Sequence, residues 1–419
     1  MDRLRIVGGK RLEGAVTIAG AKNASLPQIA AALLSDQPLT LTNLPAVSDI
    51  DNMLAVVHAH GATVTRHDPH SATIDAGPAN GGETPYDTVR RMRATVLVLG
   101  PLLARFGATR VSLPGGCAIG ARPVDLHVKA LMALGARIEI EGGTIVAEAN
   151  AGLKGARIVL GSPSVGATET AMMAATRAKG ETEIVNAARE PEVADLADCL
   201  IAMGARIEGA GTHRILIAGD TDFRATQHQI IPDRIEAGTY AIAAAITGGQ
   251  LELTHARLEQ MASVAQVLEA AGVRIWPGDR GLIVSGDGAL TGVDISTEPY
   301  PGFPTDLQAQ FMALMTQAAG AAMIRETVFE NRFMHVPELQ RLGANITLQA
   351  TTALVRGGSP LRGAQVMATD LRASVCLVLA ALVAEGETII NRVYHLDRGY
   401  EQLDVKLRRC GADITRLKD

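Results

Sequence analysis

The sequence predicts an α/β protein with two similar domains, each built from three repeats of about 70 residues around buried helices. Three observations lead to this prediction: a short motif recurs six times, the repeats contain Ala-rich apolar runs, and a β-branched residue ends each motif. A helix that is apolar on all sides is a buried one. Three such repeats would wrap their sheets around three buried helices, and six repeats would make two domains of this kind.

The repeated motif joins an apolar residue, a glycine four positions later and a β-branched residue three positions after the glycine. Its six copies are VHAHGATV, LMALGARI, LIAMGARI, LEAAGVRI, LQRLGANI and LRRCGADI, with glycines Gly61, Gly135, Gly204, Gly272, Gly343 and Gly411 spaced 68 to 74 residues apart. We expect the apolar residue on the buried face of a helix, the glycine in the left-handed position that ends the helix, and the β-branched residue at the start of a strand. Each repeat is thus predicted to run helix, strand, helix, strand, strand. A solenoid is the alternative architecture, although solenoid repeats usually have ~20–45 residues and lack a wholly apolar helix.

The composition restricts the class of protein. Of the 419 residues, 47% are hydrophobic and 20% are charged, and the formal net charge is −5. This balance is globular and offers no basic surface for nucleic acid or an anionic membrane. The longest apolar runs, such as residues 375–384, are shorter than the ~20 residues of a membrane span. Because the first residues also lack the pattern of a signal peptide, a cytoplasmic protein is expected. The spacing of cysteines and histidines predicts neither disulfides nor a metal site.

The predicted buried helices begin with polar and charged residues. Their first turns are residues 20–23, 91–94, 164–167, 232–235, 304–307 and 369–372. Thr305 and Thr369 suit N-cap positions. Cations are electrostatically unfavourable at the positive end of a helix, so capping does not account for Lys22, Arg93 and Arg372. If the helices point the same way, their ends and these cations are expected to form an anion-binding cleft between the two domains.

The segment LPGGCAIGARPVD, residues 113–125, is expected to be a mobile loop that follows a strand. Its glycines and prolines suit a lid that closes on a substrate. Cys117 lies five residues before Arg122, whose charge favours a thiolate or an anionic ligand. The other three cysteines lie in apolar helical contexts, which are typical of small buried residues. Cys117 is therefore predicted to be the reactive cysteine.

Several motifs closely resemble those of the UDP-N-acetylglucosamine enolpyruvyl transferase family, and the resemblance covers essentially the whole chain. These motifs are GAKN at 20–23, PGGCAIGARPVDL at 114–126, FPTD at 303–306, ENRFMHVPE at 330–338 and DRGYE at 397–401. The resemblance implies a two-domain, sixfold-repeated inside-out α/β barrel fold, which agrees with the repeat count. The first domain is expected at residues 22–230, the second at 1–21 together with 231–419, and the active site in the cleft between them.

The resemblance implies transfer of the enolpyruvyl group of phosphoenolpyruvate to the 3′-hydroxyl of UDP-N-acetylglucosamine, with release of phosphate. This is the first committed step of peptidoglycan synthesis. Cys117 would protonate C3 of phosphoenolpyruvate and could carry it as a covalent adduct, and Asp306 would be the base beside the sugar hydroxyl. Lys22, Arg122 and Arg398 would hold the anionic groups. No cofactor is implied.

The resemblance also implies a set of contacts with the substrates. Asn23 would touch the reacting centre, and Asp370 and Arg372 would support it from a helix end. The UDP-sugar would be lined by Arg93, Arg122, Pro123, Val124, Asp125, Leu126, Ser162, Pro163, Ser164, Val165 and Val328. Ser48 and Ser162 stand where some relatives carry lysine, and these losses are expected to affect affinity more than chemistry. His127 lies within reach of the loop, with no role assigned to it.

Two other functions stay open on the residues alone. An enolpyruvyl transferase that acts on shikimate phosphate shares the fold, but a cysteine in a PGGCAIGARPVD lid is not expected of it. A non-catalytic UDP-sugar regulator would keep the cleft, but it would be expected to lose Cys117, Asp306 or Lys22, and all three are present. The expected partners are the two small-molecule substrates, without nucleic acid or membrane, and the oligomeric state is open.

Overall fold

A computed structural model of the chain describes residues 2–84, 86–89, 92–113 and 124–418. The described residues divide into two compact units. The C-terminal unit contains residues 2–19 and 232–418, and the N-terminal unit contains the described residues between 20 and 231. The chain passes between the units after Ala19 and after Ile231, whereas the sequence predicts these crossings after residues 21 and 230.

Each repeat contains one largely buried helix and a second helix that is partly exposed. In chain order, the described helices are α1 (Lys22–Ala31), α2 (Ser48–Ala59), α3 (Tyr86–Val89), α4 (Leu99–Phe106), α5 (Asp125–Ala133), α6 (Val165–Ala175), α7 (Pro191–Ala202), α8 (Arg234–Ile246), α9 (Ala262–Ala270), α10 (Gln308–Met315), α11 (Val336–Arg341), α12 (Val375–Ala381) and α13 (Leu403–Arg409). Short 3₁₀ helices span Ala32–Leu34, Arg93–Val98, Leu258–Gln260, Thr305–Leu307 and Val393–Arg398.

The strands of the described residues form six sheets of four strands each. In chain order, they are β1 (Arg3–Val7), β2 (Glu13–Thr17), β3 (Leu39–Thr42), β4 (Thr63–Asp68), β5 (Ser71–Asp75), β6 (Glu83–Thr84), β7 (Ala108–Ser112), β8 (Arg137–Glu141), β9 (Thr144–Glu148), β10 (Arg157–Val159), β11 (Glu181–Val185), β12 (Arg206–Glu208), β13 (Arg214–Ala218), β14 (Thr226–Gln229), β15 (Gln250–Thr254), β16 (Arg274–Pro277), β17 (Gly281–Ser285), β18 (Ile295–Ser296), β19 (Ala321–Arg325), β20 (Asn345–Gln349), β21 (Thr352–Arg356), β22 (Gln365–Met367), β23 (Glu387–Asn391) and β24 (Asp413–Leu417).

All six sheets share one topology. Their strand orders are β14-β3-β5-β4, β6-β7-β9-β8, β10-β11-β13-β12, β16-β17-β15-β2, β18-β19-β21-β20 and β22-β23-β1-β24. One outer strand runs parallel to the strand that follows the buried helix, and the other pairs are antiparallel. Each of these sheets ends in two edge strands, so none of them closes on itself.

The N-terminal segment supplies strands to two sheets of the C-terminal unit. Strand β1 lies between β23 and β24, with Ile6 opposite Ile414, and β2 pairs in parallel with β15. The final repeat ends with one strand, β24, and β1 occupies the place that the second strand of a hairpin takes in the other five repeats. The two ends of the chain therefore meet in one sheet.

The six motif glycines end helices in the left-handed conformation, as the sequence predicts. Their φ angles lie between +93° and +117°. In each copy, the N–H after the glycine donates to the carbonyl of the apolar motif residue, as Ala205 does to Leu200 at 2.9 Å, which is the Schellman arrangement. That apolar residue is at most 1% exposed in all six copies. The β-branched residue is the second residue of its strand in each repeat.

The buried helices are α1, α4 and α6 in the N-terminal unit and α8, α10 and α12 in the C-terminal unit. Every residue from Ile235 to Ile246 in α8 is buried, and so is every residue of α10 and α12. Fully burying one Leu, Ile or Met side chain contributes about 1.5–3 kcal/mol. The buried helices therefore contribute a large part of the stability of the core of their own unit. Among the described residues, none of the helices combines the length and apolar character that a membrane span requires.

Candidate active site

Asp306 lies at the start of a buried helix in the C-terminal unit, in the 3₁₀ turn Thr305–Leu307 that leads into α10. Its Oδ1 accepts a hydrogen bond from Nη2 of Arg332 at 2.6 Å, and its Oδ2 lies 3.9 Å from Nε of Arg372. The Asp306 side chain is 22% exposed, whereas those of Arg332 and Arg372 are 4% and 3% exposed. Two buried guanidinium groups thus lie against the carboxylate and leave part of it accessible to a ligand.

Arg372 is bound by groups from two other elements. Its Nη2 donates to Oδ2 of Asp233 at 2.9 Å, and its Nη1 donates to the carbonyl of Gly399 at 2.8 Å. Burial alone would lower the pKa of Arg372, but the carboxylates of Asp233 and Asp306 raise it above its ordinary value. Burial would likewise raise the pKa of Asp233, but the Arg372 charge and the N–H groups at the start of α8 hold it below its usual range. Both side chains therefore stay charged in the interior.

A polar network connects the first turns of the three buried helices of the C-terminal unit. The Tyr400 ring lies 5.3 Å from the Arg372 guanidinium carbon, and its hydroxyl is 2.9 Å from Oγ1 of Thr239 in α8. Gln310 of α10 donates from Nε2 to this hydroxyl at 3.1 Å and to the Asp306 carbonyl at 2.8 Å. Burial raises the pKa of Tyr400 to about 12, although the Arg372 charge opposes the shift. The starts of α8, α10 and α12 therefore meet around Arg372.

Arg398 and Asp370, which the sequence assigns to the site, flank this network. Arg398 is the half-buried last residue of the 3₁₀ helix Val393–Arg398. The next residue, Gly399, packs so closely on Leu371 that an added β-carbon would lie 2.5 Å from the Leu371 carbonyl oxygen. Oδ1 of Asp370 accepts the backbone N–H groups of Arg372 and Ala373 at 2.7 and 2.6 Å. Close backbone packing thus brings Arg398 to the same end of the unit as Arg372.

Lys22 and Asn23 are the first two residues of α1 in the N-terminal unit. Lys22 is buried, and its Nζ lies 3.2 Å from Oδ2 of Asp49 in the first turn of α2. Asn23 is half-buried. The pairs Lys22–Asp49 and Arg372–Asp233 offset the unfavourable position of a cation at a helix start, so this position alone no longer points to a ligand.

Arg93 and His127 form a second group of charged and polar residues in the N-terminal unit. Arg93 begins the 3₁₀ helix that precedes α4, and His127 lies in the first turn of α5. Burial and the Arg93 charge lower the pKa of His127 to about 4, so the imidazole is neutral at pH 7. Its Nδ1 lies 2.9 Å from Oγ1 of Thr170. An added β-carbon on Gly166 would lie 2.9 Å from Cε1 of His127, which places the imidazole against the start of α6.

The predicted UDP-sugar residues around α5 and α6 lie at helix starts. Ser164 is the N-cap of α6 and accepts the N–H of Ala167 at 3.4 Å. Residues 162 and 163 are exposed just before it, and Val165 is the first helical residue. Val124 precedes α5, Asp125 begins it and pairs with Lys129 at 3.0 Å, and Leu126 is half-buried. The N–H groups of such helix starts suit the phosphates of a nucleotide.

Three predicted site residues, Cys117, Arg122 and Pro123, lie outside the described residues. The predicted mobility of residues 113–125 and the reactivity of Cys117 stay predictions. The other three cysteines, Cys199, Cys376 and Cys410, are buried, and burial raises the pKa of each thiol. The interpretation of these three as small buried residues is therefore confirmed.

The helix-capping prediction is wrong for Thr305 and Thr369. The Thr305 hydroxyl donates to Glu326, and among the described residues the buried Thr369 hydroxyl has no hydrogen-bond partner. The backbone N–H groups near Thr369 are instead bound by the side chains of Asp370 and Ser374. Tertiary packing decides these contacts, because a threonine hydroxyl close to a helix start can also reach a neighbouring element.

Sequence reasoning missed four residues that bind predicted site residues or their neighbours: Arg332, Asp233 and Glu326 in the C-terminal unit and Asp49 in the N-terminal unit. Arg332 lies within the ENRFMHVPE motif at 330–338, but nothing in its local pattern shows that it binds Asp306. Asp233 lies in one of the polar helix starts, and its sequence signal is that of an ordinary N-cap. Within residues 2–84, 86–89, 92–113 and 124–418, no group of three His, Cys, Asp or Glu residues is placed to hold a metal ion.

Comparison with known proteins defines the class. A family model described as EPSP synthase (3-phosphoshikimate 1-carboxyvinyltransferase) matches residues 6–407. Among solved structures, the enolpyruvyl transferase NikO from Streptomyces tendae is similar over 100% of this chain and 99% of its own, with a TM-score of 0.89 and 28% identity. An EPSP synthase from Acinetobacter baumannii covers 100% of both chains with a TM-score of 0.77 and 19% identity, which shows the fold alone. The chain belongs to the EPSP synthase family of carboxyvinyltransferases.

Curated relatives within this class are still more similar. The UDP-N-acetylglucosamine 1-carboxyvinyltransferase 2 of Mesorhizobium japonicum is 79% identical over 417 residues, which cover 100% of both chains. The UDP-N-acetylglucosamine 1-carboxyvinyltransferase of Rhodospirillum centenum is 59% identical, again over 100% of both chains. That of Paramagnetospirillum magneticum is 57% identical over 100% of this chain and 99% of its own.

Proposed function

We propose that this protein transfers the enolpyruvyl group of phosphoenolpyruvate to the 3′-hydroxyl of UDP-N-acetylglucosamine and releases phosphate, in the first committed step of peptidoglycan synthesis. The observation that carries this proposal is the 79% identity, over the whole of both chains, with a relative named UDP-N-acetylglucosamine 1-carboxyvinyltransferase 2. The acid, the base and the cations that the reaction needs are all present in the sequence, as Cys117, Asp306, Lys22, Arg122 and Arg398.

The reaction is an addition followed by an elimination. The sugar oxygen bonds to C2 of phosphoenolpyruvate while its proton passes to a base, and a proton from an acid reaches C3, which gives a tetrahedral ketal. C3 then loses a proton, the bond between C2 and the phosphate oxygen breaks, and the enol ether and phosphate leave. Fixed cations stabilise the negative charges of the phosphate and the carboxylate.

Asp306 is the proposed base for the sugar hydroxyl. Its carboxylate is 22% exposed, so a ligand can reach it, and the hydrogen bond from Arg332 fixes the orientation of the group. Arg398, Lys22 and Arg122 are proposed to hold the phosphate and carboxylate, and Asn23 to contact the reacting centre. Arg93, Val328 and the helix starts at 124–126 and 162–165 are proposed to line the UDP-sugar. Cys117 is the proposed acid at C3, with no cofactor required.

The alternative functions have less support. The similarity to the Acinetobacter baumannii EPSP synthase is 19% in identity, whereas the relatives named for UDP-N-acetylglucosamine reach 57–79%. A UDP-sugar regulator would have no need of Cys117 and Asp306 together. The cytoplasmic location expected from the sequence stays a prediction, and the oligomeric state is open.

Phosphate release with different acceptors tests this proposal directly. With phosphoenolpyruvate present, UDP-N-acetylglucosamine should give phosphate release, and shikimate 3-phosphate should give none. Release with shikimate 3-phosphate would favour the sister activity, and release with neither acceptor would favour the regulator.

Replacement of Asp306 by Asn tests its role, because the amide keeps the shape and can accept from Arg332 but cannot take a proton. The expected loss in kcat is about 10²–10⁴-fold. Asp294→Asn is the matched control, since Asp294 is an exposed carboxylate in the same unit that accepts the N–H of Met323 at 2.7 Å. An Asp306→Asn variant that keeps the wild-type kcat would show that Asp306 is only a structural carboxylate.

A further inference from the structure

The buried carboxylate of Glu326 fixes the turn that contains Val328. Glu326 follows β19 and is 1% exposed. Its Oε1 accepts the backbone N–H groups of Val328 and Phe329 at 2.8 and 3.1 Å, and the hydroxyl of Thr297 at 2.7 Å. Hydrogen bonds to a charged carboxylate are stronger than neutral ones. One carboxylate oxygen therefore binds the two peptide N–H groups that flank Val328.

Hydrogen bonds through the side chains of Thr305 and Arg332 connect the other carboxylate oxygen of Glu326 to Asp306. Oε2 accepts the hydroxyl of Thr305 at 2.8 Å, and that hydroxyl oxygen accepts from Nη1 of Arg332 at 3.0 Å. Nη2 of the same guanidinium donates to Oδ1 of Asp306 at 2.6 Å. Arginine has no acceptor, so the single Thr305 proton goes to Glu326 and the direction of every bond in this chain is determined.

The position of Arg332 is fixed by more than these bonds. Its side chain is 4% exposed, and its guanidinium carbon lies 5.5 Å from the centre of the Phe329 ring. A planar guanidinium with two fixed donors holds its acceptors at a set separation. Charges alternate along the network, from Glu326 through Arg332 to Asp306, and buried networks in which the members are hydrogen-bonded are rigid. A shift of the Val328 turn would therefore change the position of the Asp306 carboxylate through Thr305 and Arg332.

We propose that Glu326, Thr305 and Arg332 are positioning residues that couple the Asp306 carboxylate to the Val328 turn, so that one buried network sets both the base and a sugar contact. This inference rests on the proposed function, in which Asp306 and Val328 both contact UDP-N-acetylglucosamine. It assigns to Glu326 and Arg332 a role in orientation, since neither needs to touch the substrate.

Replacement of Thr305 by Val tests the coupling, because it removes the bridging hydroxyl and keeps the side-chain shape. Misplacement of a catalytic group by ~1 Å can cost about 100-fold in rate, so kcat should fall by tenfold or more. The KM for UDP-N-acetylglucosamine should rise, and the KM for phosphoenolpyruvate should stay unchanged. Thr305→Ser, which keeps the hydroxyl, should restore both parameters.

Thr316→Val is the matched control for this variant. Thr316 is 2% exposed in the same unit, at the end of α10, and its hydroxyl donates to the Ala313 carbonyl at 2.7 Å, away from the network. It should lose stability on thermal unfolding, as Thr305→Val does, but keep the wild-type kcat and KM. Equal kinetic effects in the two variants would overturn the proposal, because the loss would then be one of stability alone.

Amide hydrogen exchange of the segment 326–330 gives a readout that does not depend on activity. Exchange at the N–H groups of Val328 and Phe329 should be faster in Thr305→Val than in the wild type or in Thr316→Val. If the wild type releases no phosphate, the proposed function fails, while unchanged exchange in Thr305→Val would overturn the coupling by itself.

If Thr305→Val does not fold, Arg332→Lys tests the coupling between Asp306 and the Val328 turn. A lysine keeps the charge but cannot match the planar two-nitrogen fork that holds Asp306 and Thr305. The expected result is a lower kcat and a higher KM for the UDP-sugar, with the binding of phosphoenolpyruvate unchanged. Wild-type kinetics in Arg332→Lys would overturn the proposal.

Discussion

Removing the Arg372 side chain, which pairs with Asp233, should make the stability of the protein depend more strongly on pH. Arg372→Met removes the guanidinium and leaves the Asp233 carboxylate, which is 5% exposed, without its buried counter-charge. Breaking a buried ion pair by removing one partner costs about 3–5 kcal/mol. The cost should fall at the lower end of this range, because Asp233 keeps its hydrogen bonds from the backbone N–H groups of Ile235 and Glu236 at 2.8 and 3.0 Å.

The sign of the pH effect follows from the direction of the Asp233 pKa. In the wild type this pKa lies below its ordinary value, so the pair stabilises the fold above the unfolded pKa of about 3.9 and this stability is lost as the pH falls through the folded pKa. In Arg372→Met, burial acts with less opposition and the pKa of Asp233 rises. The destabilisation should therefore be largest at pH 8 and shrink towards pH 5, where the carboxyl can bind a proton.

Urea denaturation at pH 5 and pH 8 measures this difference in the free energy of unfolding. The double variant Asp233→Asn, Arg372→Met should lose less stability than the sum of the two single variants, since asparagine keeps the N-cap without a buried charge. Additive losses and the same loss at both pH values would refute the argument that an uncompensated carboxylate causes the effect.

Three further results are expected. Gly204→Ala should destabilise the protein more than Gly135→Ala, by about 1–3 kcal/mol of added strain. Both positions have positive φ, but of the two only Gly204 would place the new β-carbon 2.4 Å from a backbone oxygen. Equal melting temperatures of the two variants would contradict this. The pKa of His127 in the folded protein is about 4, so between pH 4 and 6.5 the unfolded chain binds a proton at this residue more readily, and the wild type loses roughly 3 kcal/mol of stability as the pH falls through that range. In His127→Gln this loss should be absent. An unchanged dependence of the unfolding free energy on pH in this range would count against a buried neutral imidazole. Fosfomycin, a small epoxide that mimics phosphoenolpyruvate, should alkylate Cys117, and the reaction should be faster with UDP-N-acetylglucosamine present. Cys117→Asp should resist fosfomycin and keep activity with an optimum at lower pH. If mass spectrometry finds the label on one of the buried thiols, Cys199, Cys376 or Cys410, the prediction is refuted.

Local sequence patterns determined the repeat and its helix ends. The Schellman turn depends on a glycine and on an apolar residue four positions before it, and both are neighbours in sequence, so the six turns could be predicted without knowledge of the fold. The same holds for the buried helices, because an all-apolar run has no face that favours water. The resemblance to a known family added the expected chemistry of Asp306 and Cys117, which periodicity alone does not give.

Four of the six outer parallel strands could not be predicted in the same way. Strands β6 and β18 contain two residues each, and β10 and β22 contain three, so they are too short to show an alternating pattern. They are strands only because a neighbouring strand offers its edge. Each of them forms one of the two edges of its open sheet.

The sequence by itself determined the six repeats, the buried helices, the polar residues at their starts and the family to which the chain belongs, because each of these depends on neighbours within a few residues or on motifs that can be compared directly. Only the tertiary structure decided which partners those polar residues have. Arg332 and Asp306 are 26 residues apart, and Arg372 and Asp233 are 139 apart. A buried charge needs a counter-charge wherever the fold can bring one, and no local pattern records which distant residue will supply it.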